Sequence, residues 1–342
     1  MTTDARPERI PTIVDVASRA GVSKATASRV LAGSRDRVSH GLAARVLEAA
    51  AELHYVPNRN ARALARSESD TVGLIVHDVS DPYFSEIARG VLAAAAAQDR
   101  LVVICNTYRD PAAEARYIAE LRAQRVSAVM LAGSAYVEDE ARATLRRQLE
   151  LTIAAGTSVV VMAPHGIGRA VLPDNRGGGA LAAQHLLELG HRQVAIAAGP
   201  PHLATIRNRL DGFLTLWRDA GMPEPALTYT TFDRDGGRDT VRNLAVSSPG
   251  ATALFALNDL MAIGAMRELA DTGRTAGADL SIIGFDDIPS ACDMTPGLTT
   301  IRLPMEELGR RAFAALDDDD ERDAEVLSCE LVVRGTTLPW SG

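Results

Sequence analysis

The run ASRAGVSKATASRVL, Ala17–Leu31, decides how the rest of the chain is read. Ala17, Val22 and Val30 fall where they share one apolar seam. Gly21 stands where a tight turn rejects a side chain, and Ser23 offers a hydroxyl to cap a second helix. Two short helices crossing through a glycine turn form the helix-turn-helix plan. The second helix keeps Lys24, Ala25, Ser28 and Arg29 on its polar side, and small or basic side chains suit an element lying in the DNA major groove. The same spacing also suits an ordinary helical hairpin with a solvated face.

Working outward, residues 1–11 read as a disordered leader with Pro7 and Pro11 bracketing charges. Thr12 caps a first helix that turns Ile13, Val16 and Ala17 inward. After a polar AGSRDRV loop, Ser39 starts a third helix with Leu42, Val46, Leu47, Ala50 and Leu53 at helical spacing, ending before Pro57. Residues 12–56 are thus expected to form a small three-helix head and 57–69 a hinge helix and linker. In PNRNARALA, Pro57–Ala65, Asn58 caps a segment whose only large apolar side chain is Leu64. A helix this short is unstable alone.

The formal net charge of −8 argues against nucleic acid until it is divided. Residues 1–70 hold eleven Lys/Arg against eight Asp/Glu, a net of +3, which leaves −11 for the rest. A basic head can meet phosphates while an acidic body stays clear of them. The three cysteines, Cys105, Cys292 and Cys329, have neither disulfide-framework nor metal-ligand spacing, and the seven histidines are dispersed. No apolar run approaches a membrane span and the N-terminus lacks a signal-peptide core. The expectation is a cytoplasmic protein without membrane partner, metal or cofactor.

From Thr71 the texture changes. TVGLIV, LVVIC, VSAVMLAG and SVVVM alternate with amphipathic helices, and a second series runs through VAIAAG, TALFAL and LSIIGFD. Near-continuous apolar strands between helices mean parallel sheets covered on both faces. The fold class is α/β: two doubly wound lobes, about 70–170 with 291–323 and about 171–290 with 324–342. Ligands of such sheets sit beyond the carboxyl ends of the strands. Those ends carry Asp78, Asp81, Tyr83 and Phe84; Arg207 and Arg209; Phe232; Asn258 and Asp259; Asp286 and Asp287.

TIVDVASRAGVSKATASRVL and HYVPNRNARALA, with the body motifs GP…R.R..GF, ND.MA.GAMR and GFDD, resemble the lac repressor (LacI/GalR) family along the whole chain. The resemblance implies a DNA-binding head and hinge on a bilobed, periplasmic-binding-protein-like body. It places Thr12, Ser23, Thr26, Ser28, Tyr55 and Asn58 at phosphates, Lys24, Ala25 and Arg29 at base edges, and Leu64 as a minor-groove wedge. In the body it implies that Arg209 and Asp286 hydrogen-bond an effector, that Asn258 assists, and that Tyr83, Phe84 and Phe232 stack on it. Tyr83 and Phe84 equally suit packing of the lobe, and Asp259 and Asp287 suit helix capping. The chain departs from the pattern at Ala32, in the longer AGSRDR loop, at Leu42 and Ala43, and at Met162-Ala163-Pro164, where a cleft acceptor is missing. Asp174 either supplies that acceptor or caps the helix after it.

Three function classes compete. A ligand-controlled transcription regulator, a homodimer on a pseudo-palindromic operator released by a small sugar, accounts for head, hinge and body together. A nucleoside- or purine-responsive co-repressed regulator is the alternative within the family. A solute-binding protein would need export. An enzyme would need a G-x-G-x-x-G turn or a nucleophile set, and adjacent Asp286 and Asp287 on a strand point to opposite faces. No leucine heptad ends the chain, which favours a dimer over a tetramer.

Overall fold

The computed structural model describes residues 11–31, 38–56, 70–317 and 324–340, and the chain divides into two compact units, 1–69 and 70–342. In the first unit, α1 (Ile13–Ala20), α2 (Lys24–Leu31) and α3 (His40–Glu52) enclose a core rich in alanine: Val16, Ala17, Ala20, Ala27, Val30, Ala43, Val46, Ala49 and Ala50. The Asp15 carboxylate accepts both the amide and the hydroxyl of Thr12 at 2.7 Å, holding the start of α1. Gly21 takes φ +63°, and a Cβ there would strike the Arg45 guanidinium, which donates to the Ala20 carbonyl at 2.5 Å. The turn therefore favours glycine for its left-handed conformation, the Arg45 guanidinium being the movable end of a long side chain. Ser23 Oγ accepts from the Thr26 amide at 3.1 Å, so α2 is capped as its sequence predicts.

One expectation for α3 fails. Leu42 is half-buried and Leu47 exposed, while Ala43 and Ala49 turn inward. Alanines from α1 and α3 meet where the helices pack, and leucines at those places would force the backbones apart. The AGSRDR loop, Asn58, Leu64 and most of the acidic DDDDERD run lie outside the described residues.

The second unit holds two six-stranded sheets. The first has the order β11-β5-β4-β3-β1-β2, all parallel: β1 (Thr71–Val76), β2 (Leu101–Asn106), β3 (Ala128–Leu131), β4 (Ser158–Val161), β5 (Arg169–Pro173) and β11 (Glu325–Leu327). The second has the order β12-β10-β9-β8-β6-β7: β6 (Val194–Ala198), β7 (Ala226–Tyr229), β8 (Ala253–Ala256), β9 (Ser281–Asp286), β10 (Thr299–Arg302) and β12 (Glu330–Val332), with only the β10–β12 pair antiparallel. Every residue of β3, β6, β8 and β9 is buried, as continuous apolar strands between helices require. Among the described residues, no helix is long and apolar enough to cross a membrane.

The tail divides between the lobes differently from expectation. β10 adds to the second sheet rather than the first, and β11 to the first rather than the second. Between them α12 (Met305–Ala314) packs on α4 (Pro82–Ala97) of the first lobe. The chain therefore crosses between lobes after β5, after β10 and between β11 and β12. A short apolar strand pairs with whichever open edge its connection reaches, and that information is absent from its own composition.

The helices that follow the strands begin at the cleft end of each lobe. Asp81 caps α4, Asp110 caps α5 (Pro111–Ala123), Asp174 caps α7 (Asn175–Glu188), Asp233 caps α9 (Arg234–Ser247) and Asn258 caps α10 (Asp259–Asp271), each side chain accepting a first-turn amide. α6 (Asp139–Ala154), α8 (Ala204–Asp219) and the short α11 (Ser290–Asp293) have no such side-chain cap.

Candidate functional site

Close packing of α7 on α8 sets the site. A Cβ on Gly179 would run into the Arg209 carbonyl and one on Gly212 into the Arg176 carbonyl, so these glycines let the two helices touch backbone to backbone. That contact explains Gly179 at the end of the GGG run, while a Cβ on Gly178 would meet the Phe285 ring, and it holds Arg209, on the second turn of α8, against the ends of β8 and β9.

Arg209 is 1% exposed, and three of its five N–H groups have partners within the protein. Its Nε donates to Asn175 Oδ1 at 2.8 Å, Nη1 to the Leu257 carbonyl at 2.5 Å and Nη2 to Asp286 Oδ1 at 2.7 Å. The guanidinium lies 3.8 Å from the centroid of the Phe285 ring. Burial pushes the Asp286 carboxyl up to about 7 against the pull of Arg209. Asp286 ends β9 with φ +114° and Asp287 follows with φ +57°, backbone states that L-residues adopt at a cost.

Facing this wall from the first lobe are His77, Asp81, Tyr83, Phe84, Arg109, Ala132 to Ser134, Met162 and Ala163. With Leu203, Thr205 and Phe232 they bound a cleft. Tyr83 and Phe84 meet edge to face at 4.9 Å. Burial raises the Tyr83 phenol above its ordinary range, so it is a neutral hydrogen-bonding group. Burial also raises the Asp81 carboxyl, opposed by the Tyr83 amide and by Arg109, whose guanidinium lies 3.6 Å away. Arg109 reaches across to lie 5.8 Å from the Phe232 ring centroid. Behind the cleft, His77 approaches the fully buried Glu114 to 3.6 Å, and Glu114 accepts from the Tyr136 hydroxyl at 3.3 Å.

Of the body residues singled out from sequence, Tyr83, Phe84, Arg209, Phe232 and Asp286 line this cleft. Asp174 and Asn258 are not among its lining residues. Asp174 Oδ1 accepts from the Gly177 amide at 2.8 Å, and Asn258 Oδ1 accepts from the Met261 amide at 2.8 Å while its Nδ2 donates to the Phe232 carbonyl at 3.3 Å. Both are occupied as helix caps, the commoner use of Asx before a helix. Asp174 therefore does not replace the acceptor missing at Met162 and Ala163, and both of those line the cleft. Asp259 is also internal, accepting from the Ile288 amide and the Thr300 hydroxyl. Asp287 pairs with Arg302 and Arg334 rather than capping a helix.

His77, Arg109, Ser134, Leu203 and Thr205 were missed, and Asp81 was noted without being assigned a role. The strand-end rule that found Tyr83 and Asp286 would have found Arg109 after β2 and Ser134 after β3, had it been applied to strands without a familiar motif.

On the head, Ser23, Lys24, Ala25, Ser28 and Arg29 are exposed on α2, while Thr12, Thr26 and Tyr55 are half-buried. Residues 24, 25, 28 and 29 lie on one side of the helix, opposite buried Ala27 and Val30.

Residues 12–58 match the family model for bacterial regulatory proteins, lacI family, and residues 183–337 that for a periplasmic binding protein-like domain. The chain is 33% identical over 336 residues to the HTH-type transcriptional regulator DegA of Bacillus subtilis, covering 96% of this chain and 98% of that protein. The chain belongs to the LacI family. Among solved structures, the lac repressor dimer bound to operator and the anti-inducer ONPF superposes with TM-score 0.84 at 28% identity, over 96% of this chain and all of that one. A LacI family transcriptional regulator from Enterococcus faecium with bound ribose superposes with TM-score 0.70 at 30% identity, over 79% of this chain and all of that one. This LacI-family chain is accordingly a ligand-responsive, DNA-binding transcriptional regulator.

Proposed function

We propose that the protein is a homodimeric repressor of a carbohydrate catabolic operon, acting in the cytoplasm and released from its operator when a small neutral sugar enters the cleft between the lobes. The observation that carries this reading is the cleft itself: two guanidinium–aspartate pairs and three aromatic rings around one space. Each carboxylate can accept from a hydroxyl, each guanidinium can donate to one, and Tyr83, Phe84 and Phe232 offer faces to the C–H side of a ring. Both cationic groups of the lining already have a carboxylate partner, which favours a neutral ligand over a phosphorylated one. The sugar-bound relative from Enterococcus faecium supports the same class.

In this reading Lys24, Ala25 and Arg29 contact base edges, with Arg29 bidentate to guanine, while Thr12, Ser23, Thr26, Ser28, Tyr55 and Asn58 contact phosphates. Leu64 is the minor-groove wedge of the hinge. Two-fold symmetry of the dimer demands a pseudo-palindromic operator. Sugar and operator then oppose one another through the angle of the lobes, and the coupling is reciprocal.

A thermal-shift screen of the full-length protein against pentoses, hexoses and disaccharides at millimolar concentration tests it, because a ligand of the folded state raises Tm by mass action. The expected result is a rise with one neutral sugar that is lost in Phe232→Ala. A rise with purines or nucleosides alone would overturn the sugar reading.

A further inference from the structure

α8, the helix that carries Arg209, is preceded at its N-cap by Leu203, whose side chain has no oxygen or nitrogen to offer the first turn. The helices before and after it in the second lobe start with Asp174, Asp233 and Asn258, each of which satisfies a first-turn amide from its own side chain. An apolar residue is among the poorest N-caps, and the leading amides of a helix need partners from somewhere.

For α8 they come from the opposite lobe. The Ala204 amide donates to the Ala135 carbonyl at 2.8 Å, and the Thr205 amide donates to Ser134 Oγ at 3.1 Å. Ser134 is buried, sits just after β3 of the first lobe and lines the cleft. The junction is held by a third bond, from the Val137 amide to the His202 carbonyl at 2.8 Å, and by the Tyr136 and His202 rings, which lie 7° from parallel at 6.2 Å.

We propose that Ser134 and the Ala135 carbonyl are the N-cap of α8, supplied in trans across the cleft, and that Ser134 is a positioning residue for Arg209. The consequence is energetic. The Ala204 and Thr205 amides keep these partners only while the lobes hold this angle, so any rotation that separates 134–135 from 204–205 loosens the first turn of the helix that presents Arg209. The lobe angle and the order of the C-lobe wall are then one coupled variable. What the coupling serves rests on the sugar reading of the cleft, but the cap does not.

Hydrogen–deuterium exchange of the full-length protein tests the cap without any ligand. In Ser134→Ala the amides of residues 204 and 205 should exchange about tenfold faster, the size of effect a lost cap produces. Those of β6 (194–198) should be unchanged. Ser134→Thr keeps the oxygen and should restore wild-type rates. His202→Ala, which leaves the acceptors intact and weakens only the docking of the lobes, should speed the same amides, and it keeps the test decisive if Ser134→Ala does not fold. Unchanged exchange at 204 and 205 in either variant, uniform acceleration across the second lobe, or no recovery in Ser134→Thr would overturn the proposal. Failure of the sugar screen with the exchange pattern as expected would overturn the reading of the cleft and leave the trans cap standing.

Discussion

Arg209 on one wall of the cleft and Arg109 on the other each meet an aspartate and an aromatic ring, yet they are held by opposite means. Arg209 has three acceptors, a ring 3.8 Å from its guanidinium carbon and almost no exposure. Arg109 stands 3.6 Å from Asp81 and 5.8 Å from Phe232, with about a quarter of its side chain exposed (24%). The first pair is built into the junction of α7, α8, β8 and β9, so a ligand meets it already formed. The second lies in the first lobe and touches the other only through the Phe232 ring, so it can re-form around a ligand. A preorganised wall opposite an adjustable one lets a binding site recognise and respond at once.

If the comparison is right, removing Arg209 should have the largest effect. Arg209→Ala leaves Asp286 and Asn175 buried without their donor, and breaking a buried pair from one side costs about 3–5 kcal/mol. Urea denaturation of the full-length protein checks it. A loss below about 1 kcal/mol would mean that the C-lobe wall is no more rigid than its counterpart and that Arg209 is free to serve a ligand alone.

The carboxyl of Asp286 provides a test of intermediate size. Its pKa is raised to about 7 in the folded protein, so between about pH 4 and 7 the folded state keeps a proton that the unfolded state releases. The stabilisation this confers is complete below the unfolded pKa and is lost as pH rises through about 7. Asp81 and Asp259 are shifted in the same direction, again chiefly by burial. His165, His185 and His191, whose pKa values burial lowers, act in the opposite sense, so the test is a difference: from pH 5 to pH 8 the Tm of Asp286→Asn, which cannot titrate there, should gain on that of wild type. A constant difference would remove Asp286 from the pH dependence.

What the sequence made legible follows the same division. The head was readable because Gly21, Ser23 and the 24/25/28/29 face act through local geometry, and the C-lobe wall because Arg209 and Asp286 sit inside recognisable motifs at strand ends. Leu47 was misjudged because helical spacing tells which residues share a face and leaves open whether leucine or alanine fits the crossing. Asp174 stayed open between acceptor and cap, and Asn258 was placed at the effector, because an Asx at a strand end has two uses and only the position of the next helix decides between them. The N-lobe wall was least legible. His77, Arg109 and Ser134 come from three different strand ends, and nothing in any one segment says that they face a common space.

The smallest stability effect should come from Arg109→Ala. A partly exposed pair at 3.6 Å is worth about 1 kcal/mol or less, and its cation–π contact with Phe232 adds little while water reaches the group. Asp81 keeps its amide bond from Tyr83 at 3.1 Å, so α4 does not lose its cap. The variant should unfold within about 1 kcal/mol of wild type. Its effect should appear instead when a sugar closes the cleft, where the same guanidinium is desolvated and its charge acts in a lower dielectric. A sugar that raises the Tm of wild type should raise that of Arg109→Ala distinctly less, although the two proteins start from nearly the same melting temperature. Equal shifts would show that the adjustable wall takes no part in binding. A large loss of stability without ligand would show instead that Arg109 is as firmly built in as Arg209, and the contrast between the walls would disappear.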